Sequence, residues 1–278
     1  MSHTTLLEEI DALFSADAAT LGASARDTFE RFLDALEGGH IRAAQRRDDG
    51  EWVVNPVKRG ICWVFGLGRN VEFAACHLFS DKDTYLIQQL LVVERNIRIV
   101  PGGNSVRRGS YIGRNVVMMP PAFINVGAYV GDGTIVDSHA LVGSCAQVGT
   151  HVHISAGVQI GGVLEPIGQT PVIIEDGVML GGNCGVYEGV RVRQGAVLAS
   201  GCVVTASTPV FDLVNETVLR ATPEAPLEIP KNAVVVPGTR PAKGEFAAKH
   251  GLQMAALLIV KYRDEKTDAR TALEELLR

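Results

Sequence analysis

The side chains best suited to acid–base chemistry and anion binding lie in the middle of the chain. Two carboxylates, Asp137 and Glu188, could each take a proton from a substrate. Two arginines, Arg98 and Arg107, could bind a carboxylate through paired hydrogen bonds. Each also has an ordinary interpretation, since Asp137 stands at a position typical of turns and a lone arginine is often a solvated charge. These residues by themselves leave both interpretations open.

The elements that must position these residues are set by a repeat of six. An aliphatic residue recurs at every sixth position from Val106 to Ile160, and the series resumes two residues out of phase from Ile174 to Val210. This period is neither that of a helix nor that of a simple alternating strand. It is the signature of a parallel β-helix, in which short strands alternate with tight turns.

The other repeat positions support this architecture. The residue two places before each aliphatic is usually small, as at Ala122 and Ala128, so both side chains of the pair point into a narrow interior. Gly, Asn and Asp gather just after the aliphatic, as at Asn125 and Asp137, where corners need unusual backbone angles. With three hexads to a triangular coil, the pattern predicts about five coils stacked ~4.8 Å apart.

Several outward positions carry apolar side chains. We expect them to form a contiguous patch on consecutive coils, and such patches usually mark an interface. The pattern therefore favours an oligomer, on the evidence of Val117, Phe123, Tyr129, Ile135 and Leu141.

Three histidines suggest a metal site as an alternative, because histidine is a common zinc ligand. His139, His151 and His153 are close in sequence but lack the spacing of ligands taken from neighbouring coils. A structural or substrate-contacting role is favoured, and no metal is expected.

Composition limits the function classes. The net charge is −5, which argues against nucleic-acid binding, and no basic amphipathic stretch suggests a membrane partner. The first residues lack the order of a signal peptide, and the longest apolar run, Met254–Val260, is too short to span a bilayer. Five cysteines without paired spacing fit a reducing cytoplasm, and Cys184 and Cys202 occupy inward repeat positions where packing is their expected role.

Three regions are predicted. Residues 1–98 form a mixed α/β domain, residues 99–213 the β-helix, and residues 214–278 an extension with a hairpin, a strand and a helix. The finer predictions are helices at Leu6–Phe14, Phe29–Leu36 and Thr267–Leu277, and strands at Trp52–Val54, Ile61–Phe65, Ala233–Val236 and Leu257–Tyr262. The phase break after Ile160 is rich in Gly and Pro, which predicts a projecting loop.

The chain resembles the tetrahydrodipicolinate N-succinyltransferases, a family of hexapeptide-repeat acyltransferases. The segments that carry the resemblance are RIVP at 98–101, NVGAYVGDGTIVDSHALVGSCAQVG at 125–149, HISAGVQIGGVLEP at 153–166 and IIED at 173–176. The resemblance implies a mainly β protein built on a left-handed parallel β-helix, with an N-terminal mixed helical domain and a small C-terminal extension. It also implies a homotrimer with active sites between neighbouring subunits.

The implied reaction moves succinyl from succinyl-CoA to the amine of the acyclic 2-amino-6-oxopimelate form of tetrahydrodipicolinate, in lysine and diaminopimelate synthesis. A carboxylate must take the amine proton, donors must hold the thioester oxygen, and cations must bind the dicarboxylate. The family's substrate arginine corresponds to Arg98 and its aspartate to Asp137. Arg107, Asn125 and Ser155 are further candidate substrate contacts.

The catalytic glutamate is where this sequence departs from the family. Family members read S-E-V-V-E-G, and the first glutamate is the one implicated, whereas this chain reads C-G-V-Y-E-G from Cys184 to Gly189. Gly185 therefore stands where the glutamate is expected. Either Glu188 supplies the carboxylate, or Asp137 works without it, or activity is lost.

Coenzyme A needs cations for its phosphates and an extended groove for its pantetheine arm. The candidates are Lys231, Arg240 and Lys243 near the end of the β-helix, together with the backbone at Gly161 and Gly162. Lone charges of this kind are often simply solvated.

Other functions compete with this one. An acetyl-CoA-dependent N-acetyltransferase of the same fold is the nearest alternative, and a metal-dependent hydratase is weaker because of the histidine spacing. A surface-recognition β-helix such as an ice-binding protein would need ladders of Thr-x-Thr, which this chain does not have.

Overall fold

A computed structural model describes residues 3–14, 23–72, 80–162, 164 and 170–264. The predicted helix at Thr267–Leu277 and residues 163 and 165–169 of the predicted loop after Ile160 lie outside the described residues. Within the described part of the chain, no helix is both long and apolar enough to cross a membrane.

The centre of the chain is a parallel β-helix whose two-residue strands stack on three faces. Each hexad contributes one strand, and successive hexads move to successive faces, so strands of one face are three hexads apart in sequence. The described strands make six turns rather than the predicted five or so, because strands beyond both ends of the unbroken hexad series join the stack.

The covered face is named for the N-terminal domain that packs on it. Its strands are β7 (Tyr111–Ile112), β10 (Tyr129–Val130), β13 (Gln147–Val148), β16 (Ile173–Ile174), β19 (Arg191–Val192) and β24 (Glu228–Ile229).

The extended face continues at one edge into the C-terminal strands. Its coil strands are β5 (Arg98–Ile99), β8 (Val117–Met118), β11 (Ile135–Val136), β14 (His153–Ile154), β17 (Met179–Leu180), β20 (Val197–Leu198) and the start of β25 (Ala233–Pro241). It is prolonged by β26 (Gln253–Tyr262), β22 (Val210–Asp212) and β23 (Thr217–Leu219).

The third face comprises β6 (Ser105–Val106), β9 (Phe123–Ile124), β12 (Leu141–Val142), β15 (Gln159–Ile160), β18 (Gly185–Val186) and β21 (Val203–Val204). Its outward residues include Phe123 and Val203, which are 37% and 52% exposed.

The interior of the β-helix is the aliphatic series that the repeat predicted. Val130, Val136, Val142 and Ile154 are all fully buried, and burying a residue of this size stabilises the fold by ~1.5–3 kcal/mol. Cys184 and Cys202 lie in the same interior and are almost fully buried, as expected for packing residues.

The N-terminal domain contains α1 (His3–Phe14), α2 (Ala23–Glu37), β1 (Ala44–Arg46), β2 (Trp52–Val54), α3 (Val57–Leu67), β3 (Asn70–Glu72) and β4 (Ser80–Lys82). The predicted strand at Ile61–Phe65 is wrong, because these residues belong to α3. One side of this helix buries Val57, Ile61 and Val64 at helical spacing, which a short apolar run does not distinguish from a strand.

Polar and aromatic contacts fix the N-terminal domain on the covered face. The Arg42 guanidinium lies 3.5 Å from the centre of the Tyr129 ring, and its Nε donates to Gln147 Oε1 at 3.0 Å. Trp52 Nε1 donates to Glu175 Oε1 at 2.9 Å. Burial alone would raise the pKa of Glu175, but hydrogen bonds from Trp52, the Gln194 amide and Arg193 outweigh it and lower that pKa.

The C-terminal region adds β23, β24, β25 and β26, and a short helix α4 (Glu245–Lys249). Parallel pairing of the coils continues past residue 213, since Ile229 pairs with Val192 and Val235 with Leu198. The coil geometry itself thus extends to Val235. The boundaries of the three regions at residues 98/99 and 213/214 stay a proposal.

The outward apolar residues do not form the single patch that the sequence suggested. Since consecutive hexads lie on consecutive faces, Val117 and Ile135 fall on the extended face and Phe123 and Leu141 on the third face. Tyr129 lies on the covered face, stacked on Tyr111 at 4.4 Å.

Candidate functional site

Apart from Arg98, the predicted catalytic and substrate residues occupy two corners of the β-helix, one on each side of the third face. The first corner joins the extended face to the third face and carries Asp137 and Ser155. The second joins the third face to the covered face and carries Arg107, Asn125 and Glu188. Within one chain, the third face separates the two groups.

Asp137 follows strand β11 directly, and one of its two carboxylate oxygens accepts a hydrogen bond from the backbone. Oδ1 accepts a hydrogen bond from the Ser138 amide at 2.7 Å, which stabilises the corner. Among the described residues no donor is recorded for Oδ2, and the side chain is partly exposed. The aspartate is thus both the turn residue of its ordinary interpretation and a carboxylate with an oxygen free to accept a proton.

Ser155 occupies the matching corner one coil along the axis. The Asp137 amide donates to the Ile154 carbonyl at 2.9 Å, so the two corners are neighbours at roughly the coil spacing of ~4.8 Å. Both side chains are partly exposed at the same edge of the third face.

Arg98 lies on the first strand of the extended face. Its register follows from Val117, which pairs with both Arg98 and Ile135. Two coil spacings and two residues along the strand separate it from Asp137, which gives about 12 Å between Cα atoms. Arg98 is exposed and has no recorded side-chain partner in the described part of the chain, so its guanidinium is available to a dicarboxylate.

Arg107 is already paired. Its Nη2 donates to both carboxylate oxygens of Asp81, at 2.8 and 2.7 Å, and its guanidinium lies 5.0 Å from the centre of the Phe65 ring. The Arg107 Nη1 is 3.4 Å from Asn125 Oδ1. Arg107 therefore helps to attach the N-terminal domain to the β-helix. Its predicted contact with substrate stays a prediction.

A cavity of about 490 Å³ opens beside this pair. Its lining includes Asp81, Tyr85, Ser105, Arg107 and Phe123, so it lies where the N-terminal domain meets the first coils of the third face. Burial raises the pKa of Tyr85 well above its ordinary value, and the phenol donates to the Ile61 carbonyl at 2.8 Å.

Glu188 has a structural contact of its own. It is exposed at a corner in the left-handed backbone conformation, with φ of 54°, and its Oε2 accepts from the Ala206 amide of the next coil at 3.0 Å. This geometry favours a corner role over the predicted catalytic one, which stays a prediction to be tested.

The candidate coenzyme A residues are not brought together. Gly161 and Gly162 lie at the corner that carries Glu188, and a Cβ at Gly162 would lie 2.0 Å from the Ser144 amide nitrogen, so only glycine fits there. Lys231 lies at the corner between the covered and extended faces, in a cavity with Thr150 and Arg263. Arg240 lies on strand β25, about 30 Å from Lys231 along the chain direction, and Lys243 follows that strand.

The three histidines are also distributed. His139 lies at the Asp137 corner, His151 at the corner between the covered and extended faces, and His153 on the extended face itself. Within the described ranges, no group of three or more His, Cys, Asp or Glu side chains is arranged to hold a metal ion.

Sequence reasoning missed Tyr187. Its ring lies across Gly185 on the third face, at the position where the resemblance leads us to expect a glutamate side chain. The signal was present in the sequence as an aromatic residue two places after a strand glycine, a spacing that puts both on one face.

Comparison with known proteins supports the resemblance over the whole length. A family profile described as "Tetrahydrodipicolinate N-succinyltransferase N-terminal" matches residues 5–67, and "Hexapeptide repeat of succinyl-transferase" matches residues 171–206. A 2,3,4,5-tetrahydropyridine-2,6-dicarboxylate N-succinyltransferase of Afipia carboxidovorans is 42% identical over 99% of this chain and 98% of its own length. The protein of the same name from Wolbachia pipientis is 43% identical over 93% of this chain and 91% of its own length.

Proposed function

The chain belongs to the tetrahydrodipicolinate N-succinyltransferase family, and on that premise we propose that its active site lies on the third face, between neighbouring copies of the chain. The activity is the transfer of succinyl from succinyl-CoA to the amine of tetrahydrodipicolinate, a step of lysine and diaminopimelate biosynthesis. The observation that carries it is 42% identity to succinyltransferases over 99% of the chain.

Asp137 is the proton acceptor in this proposal. With Oδ1 held by the Ser138 amide at 2.7 Å, the carboxylate is fixed in orientation, and no donor to Oδ2 is recorded in the described residues. A carboxylate held in this way takes a proton from an amine without first reorganising. Ser155, one coil away, supplies a hydroxyl beside it.

The bonds formed and broken in the reaction balance, and so do the protons. Water opens the tetrahydrodipicolinate ring to the acyclic amino-oxo form, and the amine nitrogen then attacks the thioester carbonyl carbon. The new C–N bond forms as the C–S bond breaks, and the amine proton taken by Asp137 passes to the departing sulfur as CoA thiol. These steps use proton transfer and hydrogen bonding alone, so no metal ion is part of the proposal.

Arg98 binds a carboxylate of the acceptor in this scheme. Its exposed guanidinium and its separation of about 12 Å from Asp137 suit an extended pimelate chain, with the amine at the aspartate and a distal carboxylate at the arginine.

The positions of the two corners of the third face favour an active site that is completed by a neighbouring copy of the chain. Asp137 and Ser155 lie on one edge of the face and Asn125 and Gly161 on the other, with partly exposed Phe123 and Leu141 between them. A homotrimer would bring one edge of one copy toward the opposite edge of its neighbour and would cover the apolar strip. The cytoplasm, where free thiols and succinyl-CoA coexist, is the proposed location.

A thiol-release assay tests the function. Purified protein is given succinyl-CoA or acetyl-CoA with 2-aminopimelate as the acceptor, and CoA release is followed with a thiol reagent. We expect succinyl-CoA to be the faster donor by at least ~10-fold in kcat/KM. Equal or faster turnover of acetyl-CoA would instead support the N-acetyltransferase alternative.

Light scattering at micromolar concentration tests the assembly independently. The expected mass is that of three chains. A monomer mass would contradict the placement of the site between copies.

A further inference from the structure

The third face carries one aromatic side chain in an unusual position. Tyr187 follows strand β18, and a Cβ added at Gly185 would lie 2.5 Å from Tyr187 Cε2 and 3.0 Å from both Cζ and Oη. A Cβ at Gly161 would lie 2.7 Å from Tyr187 Cδ1. The ring therefore lies over two glycines of neighbouring coils, where no other residue type leaves room for it.

This packing fixes where the hydroxyl lies. Strand β18 runs from Gly185 toward the corner that carries Glu188, and the Tyr187 ring folds back along it. Oη consequently ends above the start of the strand, on the side of the face nearer the corner that carries Asp137 and Ser155. A side chain at Gly185 would push the ring away, so the glycine is a condition for this placement.

Packing of the ring fixes the position of the Tyr187 hydroxyl, but the hydroxyl has no recorded hydrogen-bond partner in the described part of the chain. Tyr187 is partly exposed, and within the described ranges no hydrogen bond to its Oη is recorded. By contrast, the Tyr85 and Tyr262 hydroxyls donate to a carbonyl and to a carboxylate respectively. A phenol that is fixed in place with its donor uncommitted suits a ligand whose negative charge appears during reaction.

We propose that Tyr187 is a catalytic residue whose hydroxyl donates to the thioester oxygen of succinyl-CoA as the amine attacks. This rests on the proposed function and deepens it. The carboxylate of Asp137 accepts the proton, and the phenol holds the developing negative charge, so the two groups have complementary roles. Gly161, under the ring, is one of the residues predicted to line the pantetheine arm, which brings the thioester to this part of the face.

The test removes only the hydroxyl. Tyr187→Phe keeps the ring over Gly185, and loss of one donor to the oxyanion is expected to lower kcat by about 10²–10³-fold. The KM for succinyl-CoA should stay within about threefold, and the thermal midpoint should not change. Tyr129→Phe is the control, since Tyr129 is a partly exposed tyrosine of the β-helix that lies on the covered face, away from the proposed site, and its kcat should stay within about twofold.

A second variant tests the placement of the ring. Gly185→Ala puts a methyl group 2.5 Å from the ring, so the hydroxyl must move and kcat should fall by a similar factor. If both changes act through the same hydroxyl, the double variant should be no slower than the slower single variant.

The outcomes separate this inference from the proposed function. An active wild-type protein whose Tyr187→Phe variant keeps full kcat overturns the inference and leaves the succinyltransferase intact. An equal loss in Tyr129→Phe also overturns it, because the effect would then belong to tyrosines in general. A wild-type protein without succinyl-CoA turnover removes the proposed function and this inference together.

Discussion

The sharpest test of the proposed site is the substitution Asp137→Asn. Asparagine keeps the size of the side chain and its Oδ1, which can still accept from the Ser138 amide now bonded at 2.7 Å. It replaces the second oxygen with an amide that donates and cannot accept a proton. The change therefore removes the proposed chemistry while leaving the corner in place.

The structural part of the effect should be small. A hydrogen bond to a charged acceptor becomes one to a neutral acceptor, a loss of ~1 kcal/mol in the free energy of unfolding. For a chain of this size, that lowers the thermal midpoint by roughly 2–4 °C. The catalytic part should be much larger, because loss of a general base lowers turnover by about 10²–10⁴-fold.

A matched control separates the two parts. Asp132 is an aspartate at the corner between the covered and extended faces, at the opposite end of strand β11 from Asp137, and its Oδ1 accepts from the Arg114 amide at 2.9 Å. Asp132→Asn should cost the same few degrees and leave turnover within about twofold. The assay is CoA release with succinyl-CoA and 2-aminopimelate, alongside thermal denaturation of both variants.

The reasoning is refuted by either of two results. Near-normal turnover in Asp137→Asn would make this aspartate a turn residue only. A comparable loss of turnover in Asp132→Asn would show that corner aspartates act through the fold rather than at the site.

Three further predictions concern residues whose environments the structure defines. Glu188→Gln should keep turnover within about threefold, since an amide oxygen can still accept from Ala206, and a loss of 10²-fold or more in the same assay would restore its catalytic interpretation. The pKa of Glu175 is lowered in the folded state, so its contribution to stability is present above its unfolded pKa and is lost as pH falls through its folded value. Urea unfolding between pH 7 and pH 3 should therefore show a smaller pH dependence in Glu175→Gln, and an unchanged slope would contradict this. Arg98→Ala should raise the KM for the acceptor by about 10–10²-fold with the KM for succinyl-CoA unchanged, and a shift confined to succinyl-CoA would assign the arginine to the other substrate.

The order of the hexads by itself specifies the β-helix. Val130, Val136 and Val142 recur at six because each coil side needs one buried aliphatic and one corner, and this requirement is local to the sequence. The resemblance of the 125–149 and 153–166 segments likewise identified the family, which the full-length relatives support.

Helical and strand propensity was less decisive in the N-terminal domain. Ile61–Phe65 reads as a short apolar run, and only its packing against α1 decides that it is part of a helix. The pairing of Arg107 with Asp81, 26 residues earlier in the chain, was equally invisible, because long-range partners leave no periodic signal.

The composition of the candidate site was decided by the tertiary structure. The sequence placed Asp137 at a corner and offered Glu188 as a second carboxylate, but only the stacking of the coils shows that they lie on opposite sides of the third face. The placement of Tyr187 over Gly185 depends on side-chain packing between neighbouring coils, which the sequence spacing permits but does not specify. Periodicity records which residues point inward, whereas the contacts made on an outer face depend on how that face packs in three dimensions.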